Sequence, residues 1–311
     1  MVARHVIVVE ESKMIVVDKV SKDVKKYLED KKKIVDNRLE SYFKDKNNSF
    51  DVQALEAALS YTTLLDGKRI RPILAIAVYE MYREDIDRIL DPACALELIH
   101  AGSLMLDDLP CMDDAKLRRG KKTSHLVFGE SVTILASASL WVRAFRILAN
   151  VEDVRINKLV KLTSDFIGEH GLALGQYLDL FSMGRVQTKD QLEKSYELKT
   201  SVLFQLAVQY GGIMGGASEN DLELLNEYAR HLGIAFQIRD DIIDATQTKE
   251  ESGKDAHKDE DNHKLNYVSL LGLAGAEEAL MNEIKQAEHS LGSIDRDSNL
   301  LSEISELLSK Y

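Results

Sequence analysis

The sequence predicts an all-α protein, and three observations carry that prediction. Only three prolines occur in 311 residues, aromatic side chains make up 6% of them, and from Val20 onward apolar positions recur at three- and four-residue spacing. No repeat, linker or low-complexity stretch divides the chain. One helical domain over residues 18–311 is therefore expected, preceded by an N-terminal extension, residues 1–17. At 45% hydrophobic and 30% charged residues, such a chain buries a sizeable core.

Residues 1–17 differ from the rest. Two β-branched runs, Val6–Val9 and Met14–Val17, flank a Glu-Glu-Ser-Lys turn, which predicts a short hairpin or a disordered extension. The apolar run is too short for a signal peptide, and acid follows it at once. Val20, Val24, Tyr27, Leu28, Ile34, Val35, Leu39 and Tyr42 then mark a first helix, ended by the polar Lys46–Ser49. A second runs from near Asp51 through Leu55, Ala58 and Leu59 to Asp66-Gly67. Pro72 suits the first turn of a third helix, whose N–H groups and dipole favour an anion. Lys68, Arg69 and Arg71 crowd that entrance, although a basic loop on an acidic surface would read the same.

Asp91-Pro92 predicts the next helix start. Ala93–Met105 is apolar nearly all round, apart from Glu97, His100 and Ser103, and so reads as a buried helix. A lone histidine there is more often a core residue than a ligand. Further helices are expected around Ser131–Ile147, over about Ile156–Leu180 with a small face at Gly168, Gly171 and Gly175, and over Glu193–Tyr210 with Lys199-Thr200 near its middle. Gln176-Tyr177-Leu178-Asp179 brings a carboxylate after that small face. Asp221–Thr246 follows, then an acidic, lysine-bearing loop over Lys249–Lys264, then a C-terminal helical pair.

Several function classes are excluded by composition. A net charge of −12, with no basic stripe interleaved with aromatics, argues against nucleic-acid binding. Two cysteines, Cys94 and Cys111, fit a reducing compartment and hence a cytoplasmic protein. None of the eight histidines stands in a zinc spacing. No uncharged stretch reaches the length of a membrane span, so a soluble protein is expected.

What remains is concentrated in two acidic clusters. LMLDDLPCMDDAKLRRG (104–120) places Asp107, Asp108, Asp113 and Asp114 a few residues before Arg118-Arg119-Gly120. Carboxylates at this density repel one another unless cations sit between them. Acid beside guanidinium suits a metal-bridged phosphate ligand. A solvated acidic turn leading into a basic helix start is the alternative for this stretch alone. The second cluster decides, because GIAFQIRDDIID (233–244) sets Asp240, Asp241 and Asp244 among isoleucines with no helix breaker. At helical spacing these three share one face, where like charges weaken the helix until a cation neutralises them.

The ordered strings DGKRIRP (66–72), ALELIH (95–100), DDLPCMD with LRRG (107–120), GQYLDL (175–180), KTSVLF (199–204), GIAFQIRDDIID (233–244), GKDAHKD (253–259) and KLNY (264–267) resemble the trans-type isoprenyl diphosphate synthases, the polyprenyl synthetase family. The resemblance covers about Val20 to Tyr311. It implies the isoprenoid synthase fold, with helices surrounding a central substrate cavity, and usually a homodimer. It also implies Mg²⁺-dependent head-to-tail condensation of isopentenyl diphosphate with dimethylallyl, geranyl or farnesyl diphosphate. Ionisation of the allylic diphosphate needs no protein nucleophile, so the catalytic task is electrostatic. The resemblance assigns Asp107, Asp108, Asp113, Asp240, Asp241 and Asp244 to about three Mg²⁺ ions, hard cations that take oxygen ligands. It assigns Arg118, Lys199, Lys254 and, more weakly, Lys264 to the allylic diphosphate, and Lys68, Arg71, His100 and Arg119 to isopentenyl diphosphate. Thr200 and Gln237 correspond to polar positions near the reacting carbon, and Phe236 to an aromatic face for the cation.

Tail length in this family is set by residues upstream of the first Asp pair. Gly102 and Ser103 are both small at the positions where bulky aromatics tend to stop the tail at C15, and the DDLPCMD spacing is longer by two residues; together these point to geranylgeranyl diphosphate, C20, with longer tails or a floor supplied by another residue left open. Farnesyl diphosphate synthase, or a noncatalytic subunit of a heteromeric synthase, are the alternatives. A class I terpene cyclase is disfavoured, because it lacks a second Asp-Asp-x-x-Asp and needs no isopentenyl site. The chain departs from the family pattern at Leu106, Ala115-Lys116, His257, Asn266 and Val268. An altered loop over the allylic site is expected, with every metal-ligand carboxylate retained.

Overall fold

A computed structural model describes residues 23–44, 53–182, 188–246 and 265–310. In chain order its helices are α1 (23–41), α2 (Gln53–Thr63), α3 (Ile70–Glu80), α4 (Asp87–Asp107), α5 (Ser124–Phe128), α6 (Glu130–Ala149), α7 (Ile156–Ile167), α8 (Leu172–Ser182) and α9 (Lys189–Tyr196). A five-residue π-helical segment, Glu197–Ser201, joins α9 to α10 (Val202–Gly215). Then come α11 (Glu219–Thr246), α12 (Tyr267–Gly292) and α13 (Asn299–Ser309). The N-terminal extension and the loop carrying Lys254 and Lys264 lie outside the described residues.

The core forms around α4 and α10. Every residue of α10 is buried, and it packs against α3, α4 and α11. Its side chains Leu203, Phe204, Leu206, Val208 and Tyr210 each contribute about 1.5–3 kcal/mol by leaving water. α4 is covered by α3, α6 and α10, which leaves a partly exposed strip of His100, Ser103, Leu104 and Asp107 near its C-terminal end. By length and composition alone, α4 and α6 could each cross a bilayer. Most of α4 is instead enclosed by the fold, whereas α6 keeps an apolar outer face.

Three local expectations change, and one alternative falls away. The helix expected to start at Asp91-Pro92 begins at Asp87, and Pro92 sits inside it. Its ring removes a hydrogen bond to Arg88 in an exposed turn, where water can serve that carbonyl. The single helix expected over Ile156–Leu180 is two, because Gly168 turns extended and ends α7. The helix expected from Glu193 starts at Lys189, where Thr188 and Gln191 form a capping box. LRRG does not start a helix. Leu117–Arg118 pairs antiparallel with Lys121–Lys122, and Arg119 and Gly120 both take positive φ, 52° and 74°. Two such residues between strands make the tight primed turn that matches strand twist.

Candidate active site

The first acidic row grows out of the end of α4. Asp107 is its last residue, and the chain then folds back so that the Asp113 N–H donates to the Asp107 carbonyl at 2.9 Å. The longer DDLPCMD spacing thus brings Asp113 beside Asp107 rather than away from it. The hairpin aims Arg118 at the same place, where its Nε and Nη2 grip both oxygens of Asp108 at 2.6–2.9 Å. Asp108 is buried, and burial raises its carboxyl pKa despite Arg118. Asp107 and Asp113 stay partly exposed.

Two glycines position the segment that carries Lys199 and Thr200. A Cβ at Gly175 of α8 would lie 2.4 Å from the backbone of Leu198 and Lys199, and one at Gly233 of α11 would lie 2.4 Å from the Ser201 Cα. Only glycine permits such approaches. The π segment is therefore clamped between α8 and α11, and its widened turn presents Lys199 and Thr200 to opposite neighbours. Lys199 Nζ donates to Asp179 at 2.6 Å and lies 3.5 Å from Asp107, while the Gln176 amide donates to Asp107 at 2.6 Å. Burial pushes the Lys199 pKa down, but Asp107, Asp179 and Asp113 outweigh it and hold the ammonium above its ordinary range. Thr200 donates to Gln237 at 2.9 Å.

Gln237 belongs to the second row on α11. Asp241 is buried and accepts from the Tyr196 hydroxyl at 2.6 Å, the Tyr267 N–H at 3.0 Å and the Gln237 amide at 3.4 Å. Asp240 and Asp244 are partly exposed. Each row thus has one buried anchoring carboxylate, Asp108 or Asp241, and two that reach solvent. Lys199 on one side and Thr200 on the other tie the rows into one assembly.

The basic side lies next to it. Arg71 at the start of α3 contacts His100 Nε2 at 3.3 Å and stacks over Phe204 at 4.9 Å, and Phe204 packs against Phe236 at 5.6 Å. Its Nε is buried without a partner, a donor left for a ligand. Burial, with Arg119 nearby, pushes Arg71 down to about 10, against the pull of Glu97 and Asp240, so it stays charged at neutral pH. Arg119 covers Gly67, where a Cβ would meet its guanidinium at 2.4 Å, and Lys68 is exposed. Arg69 turns away into the core, paired with Asp36 at 2.7 Å and Glu97 at 2.6 Å. Of the three crowded cations, Arg69 is thus committed to the core.

His100 is held neutral, because burial and then Arg71, Arg119, Arg118 and Arg69 drive its pKa well below 6.5. The unfolded chain therefore binds a proton first as pH falls, and this group's share of stability is lost from about pH 6.5 downward. His100→Gln in the ligand-free protein is expected to flatten the fall in melting temperature between pH 7 and 5. An unchanged slope would contradict the assignment.

The residues present fit Mg²⁺. Among the described residues, no three carboxylate, histidine or cysteine side chains form a metal cage by themselves. Mg²⁺ rarely uses one, since it keeps waters and is commonly held by one or two carboxylates plus substrate phosphate oxygens. Asp107 with Asp113, and Asp240 with Asp244, offer that arrangement.

Gly102 and Ser103 differ in placement. Ser103 lies on the strip with His100 and Asp107, and its hydroxyl turns back to the His100 carbonyl at 2.8 Å. Gly102 faces α6, where a Cβ would meet the Trp141 Nε1 at 2.6 Å. Sequence reasoning noted Gln176 and Asp179 without giving them a role, and missed Tyr196 and Trp141. The spacing of Gly175 and Asp179, four apart on one helix face, was the available signal for Asp179; Trp141 left none.

A helical fold built around two carboxylate rows, with lysine between them and guanidinium groups alongside, defines a class of proteins that handle diphosphates through metal ions. The polyprenyl synthetase profile matches residues 52–301. Farnesyl diphosphate synthase of Bacillus subtilis (strain 168) is 37% identical over 287 residues, covering 91% of this chain and 96% of the relative. Mitochondrial geranylgeranyl pyrophosphate synthase 10 of Arabidopsis thaliana is 41% identical over 257 residues, 80% of this chain and 75% of the relative. A crystal structure of the Helicobacter pylori geranyltransferase complexed with magnesium and isoprenyl diphosphate superposes with a TM-score of 0.77 at 33% identity, over 88% of this chain and 93% of that one. The chain belongs to the polyprenyl synthetase family. Its reaction class is that of the prenyltransferases that make short-chain prenyl diphosphates.

Proposed function

We propose that the protein condenses isopentenyl diphosphate with dimethylallyl, geranyl or farnesyl diphosphate, with geranylgeranyl diphosphate (C20) as the main product. One observation carries this reading: Lys199 reaches Asp107 while Thr200 bonds Gln237, so both acidic rows serve one site. Asp107, Asp113, Asp240 and Asp244 would hold Mg²⁺, and Asp108 and Asp241 fix the rows. Bound Mg²⁺ would neutralise the departing allylic diphosphate. Lys199 and Arg118 supply further positive charge to the same group, preorganised and partly shielded from water. Arg71, His100, Arg119 and Lys68 hold isopentenyl diphosphate, with neutral His100 donating or accepting a hydrogen bond rather than adding charge. Phe236 offers its face to the allylic cation, and the Thr200–Gln237 pair lies beside it. Lys254 and Lys264 are proposed to close over the allylic diphosphate.

The C20 assignment is supported by small Ser103 on the partly exposed strip of α4 and by the Arabidopsis relative. C15 is the competing product, favoured by the Bacillus relative and by Trp141 filling the space beside Gly102. Incubating the protein with Mg²⁺, labelled isopentenyl diphosphate and each allylic starter, followed by mass analysis, decides between them. Mainly C20 is expected; mainly C15 would overturn the chain-length reading, and no elongation would favour a noncatalytic subunit.

A homodimer and a cytoplasmic location belong to the same proposal. The dimer is supported by exposed apolar side chains on α5 and α6, namely Leu126, Val127, Ile134, Leu135 and Val142, since clustered exposed apolar side chains commonly mark a protein–protein contact. Free Cys94 and exposed free Cys111 suit the location. Light scattering is expected to give twice the chain mass of 35.0 kDa, and Leu135→Glu with Val142→Glu to give the single mass.

A further inference from the structure

We infer that the indole of Trp141, on α6, ends the hydrocarbon channel and sets product length. This rests on the proposed elongation reaction, and the test below separates the two. On α4, Gly102 leaves a gap that its own helix does not fill. The indole fills it, so a Cβ at Gly102 would come within 2.6 Å of Nε1 and 2.8 Å of Cδ1. A small residue beneath the Asp pair therefore does not by itself mean a long channel here. The nearest bulky group at that level belongs to the neighbouring helix.

The indole is fixed in this place. Its N–H donates to the Ile99 carbonyl at 3.0 Å, and one turn away the Ser137 hydroxyl donates to the Gly102 carbonyl at 2.8 Å, holding α6 against α4. A helical carbonyl points toward the residue four ahead, so the one at Ile99 points toward Ser103, on the strip shared with His100 and Asp107. At 1.5 Å per residue, Gly102 lies about 7.5 Å and Ile99 about 12 Å along α4 from Asp107. Trp141 thus spans the levels a growing tail reaches after passing Ser103. It is only partly buried among otherwise buried neighbours on its helix, Ser137, Leu140 and Ala144.

The chain contains one tryptophan, so the same residue reports on its own role. Products of wild type, Trp141→Phe and Trp141→Ala are compared by mass analysis with Mg²⁺, labelled isopentenyl diphosphate and farnesyl diphosphate. Trp141→Ala is expected to lengthen the main product by one or more C5 units. Trp141→Phe is expected to lengthen it less. If the alanine variant does not fold, the phenylalanine variant and the wild-type emission decide. Farnesyl diphosphate without Mg²⁺ should shift or quench wild-type tryptophan emission, and isopentenyl diphosphate at equal concentration should not. An elongating wild type whose variants give the same product distribution would overturn the assignment to Trp141. A wild type that elongates nothing would overturn the underlying reaction instead.

Discussion

Asp107→Asn is expected to lower kcat/KM by about a hundredfold to a thousandfold while leaving the melting temperature nearly unchanged, and Asp240→Asn is expected to do the same. Both carboxylates reach solvent, and asparagine keeps their shape. At position 107 the lost charge is tolerated structurally, because Lys199 retains Asp179 at 2.6 Å. What disappears is a hard anionic oxygen for Mg²⁺, so raising Mg²⁺ should recover part of the rate. Asp108→Asn and Asp241→Asn belong to a different class. Asp108 is buried under a bidentate arginine, and removing one partner of such a pair leaves an uncompensated charge that costs about 3–5 kcal/mol. These two variants should lose stability as well as rate. Steady-state kinetics beside thermal unfolding separates the classes, and a near-normal rate for Asp107→Asn would contradict the reading.

Lys199→Met should damage both properties at once. Asp179 is buried, with its side chain 5% exposed, and Lys199 is its nearby cation, so the variant leaves Asp179 and Asp107 facing each other without that charge. Lys199 keeps 23% exposure, and solvent screening puts the loss near the low end of the buried-pair range, about 3 kcal/mol. Adding Asp179→Asn should restore part of the stability by removing one of the two carboxylates that Lys199 meets. It should restore none of the rate, because the cation that meets the departing diphosphate is still absent. A double-mutant cycle measures this directly. Recovery of rate together with stability would show Lys199 to be only structural.

Much of this was legible before any coordinates. Helical periodicity predicted most of the helices, though not α5 or the break between α7 and α8, and the two aspartate clusters pointed to the candidate site because like charges at that density need a cation. The division of labour within each row was not legible. Asp107 and Asp108 are adjacent and identical in type, and only the hairpin that aims Arg118 makes one an anchor. That hairpin was hidden because Arg119 adopts a positive φ that arginine seldom takes. The glycine spacing on α8 suggested close approach, but not that the partner would be a π turn carrying Lys199. Chain length was least legible. Reading α4 alone showed two small residues, whereas the space beside Gly102 is filled by a residue 39 positions later, Trp141, and no local pattern reveals such a contact.

The most direct test is the position of the metal ions themselves. Crystals grown with Mn²⁺ in place of Mg²⁺ and a non-ionisable farnesyl diphosphate analogue would show them by anomalous scattering. Peaks are expected between the analogue's diphosphate and both rows, touching Asp107 or Asp113 on one side and Asp240 or Asp244 on the other. Peaks confined to one row, or a diphosphate seated away from Lys199, would contradict the account.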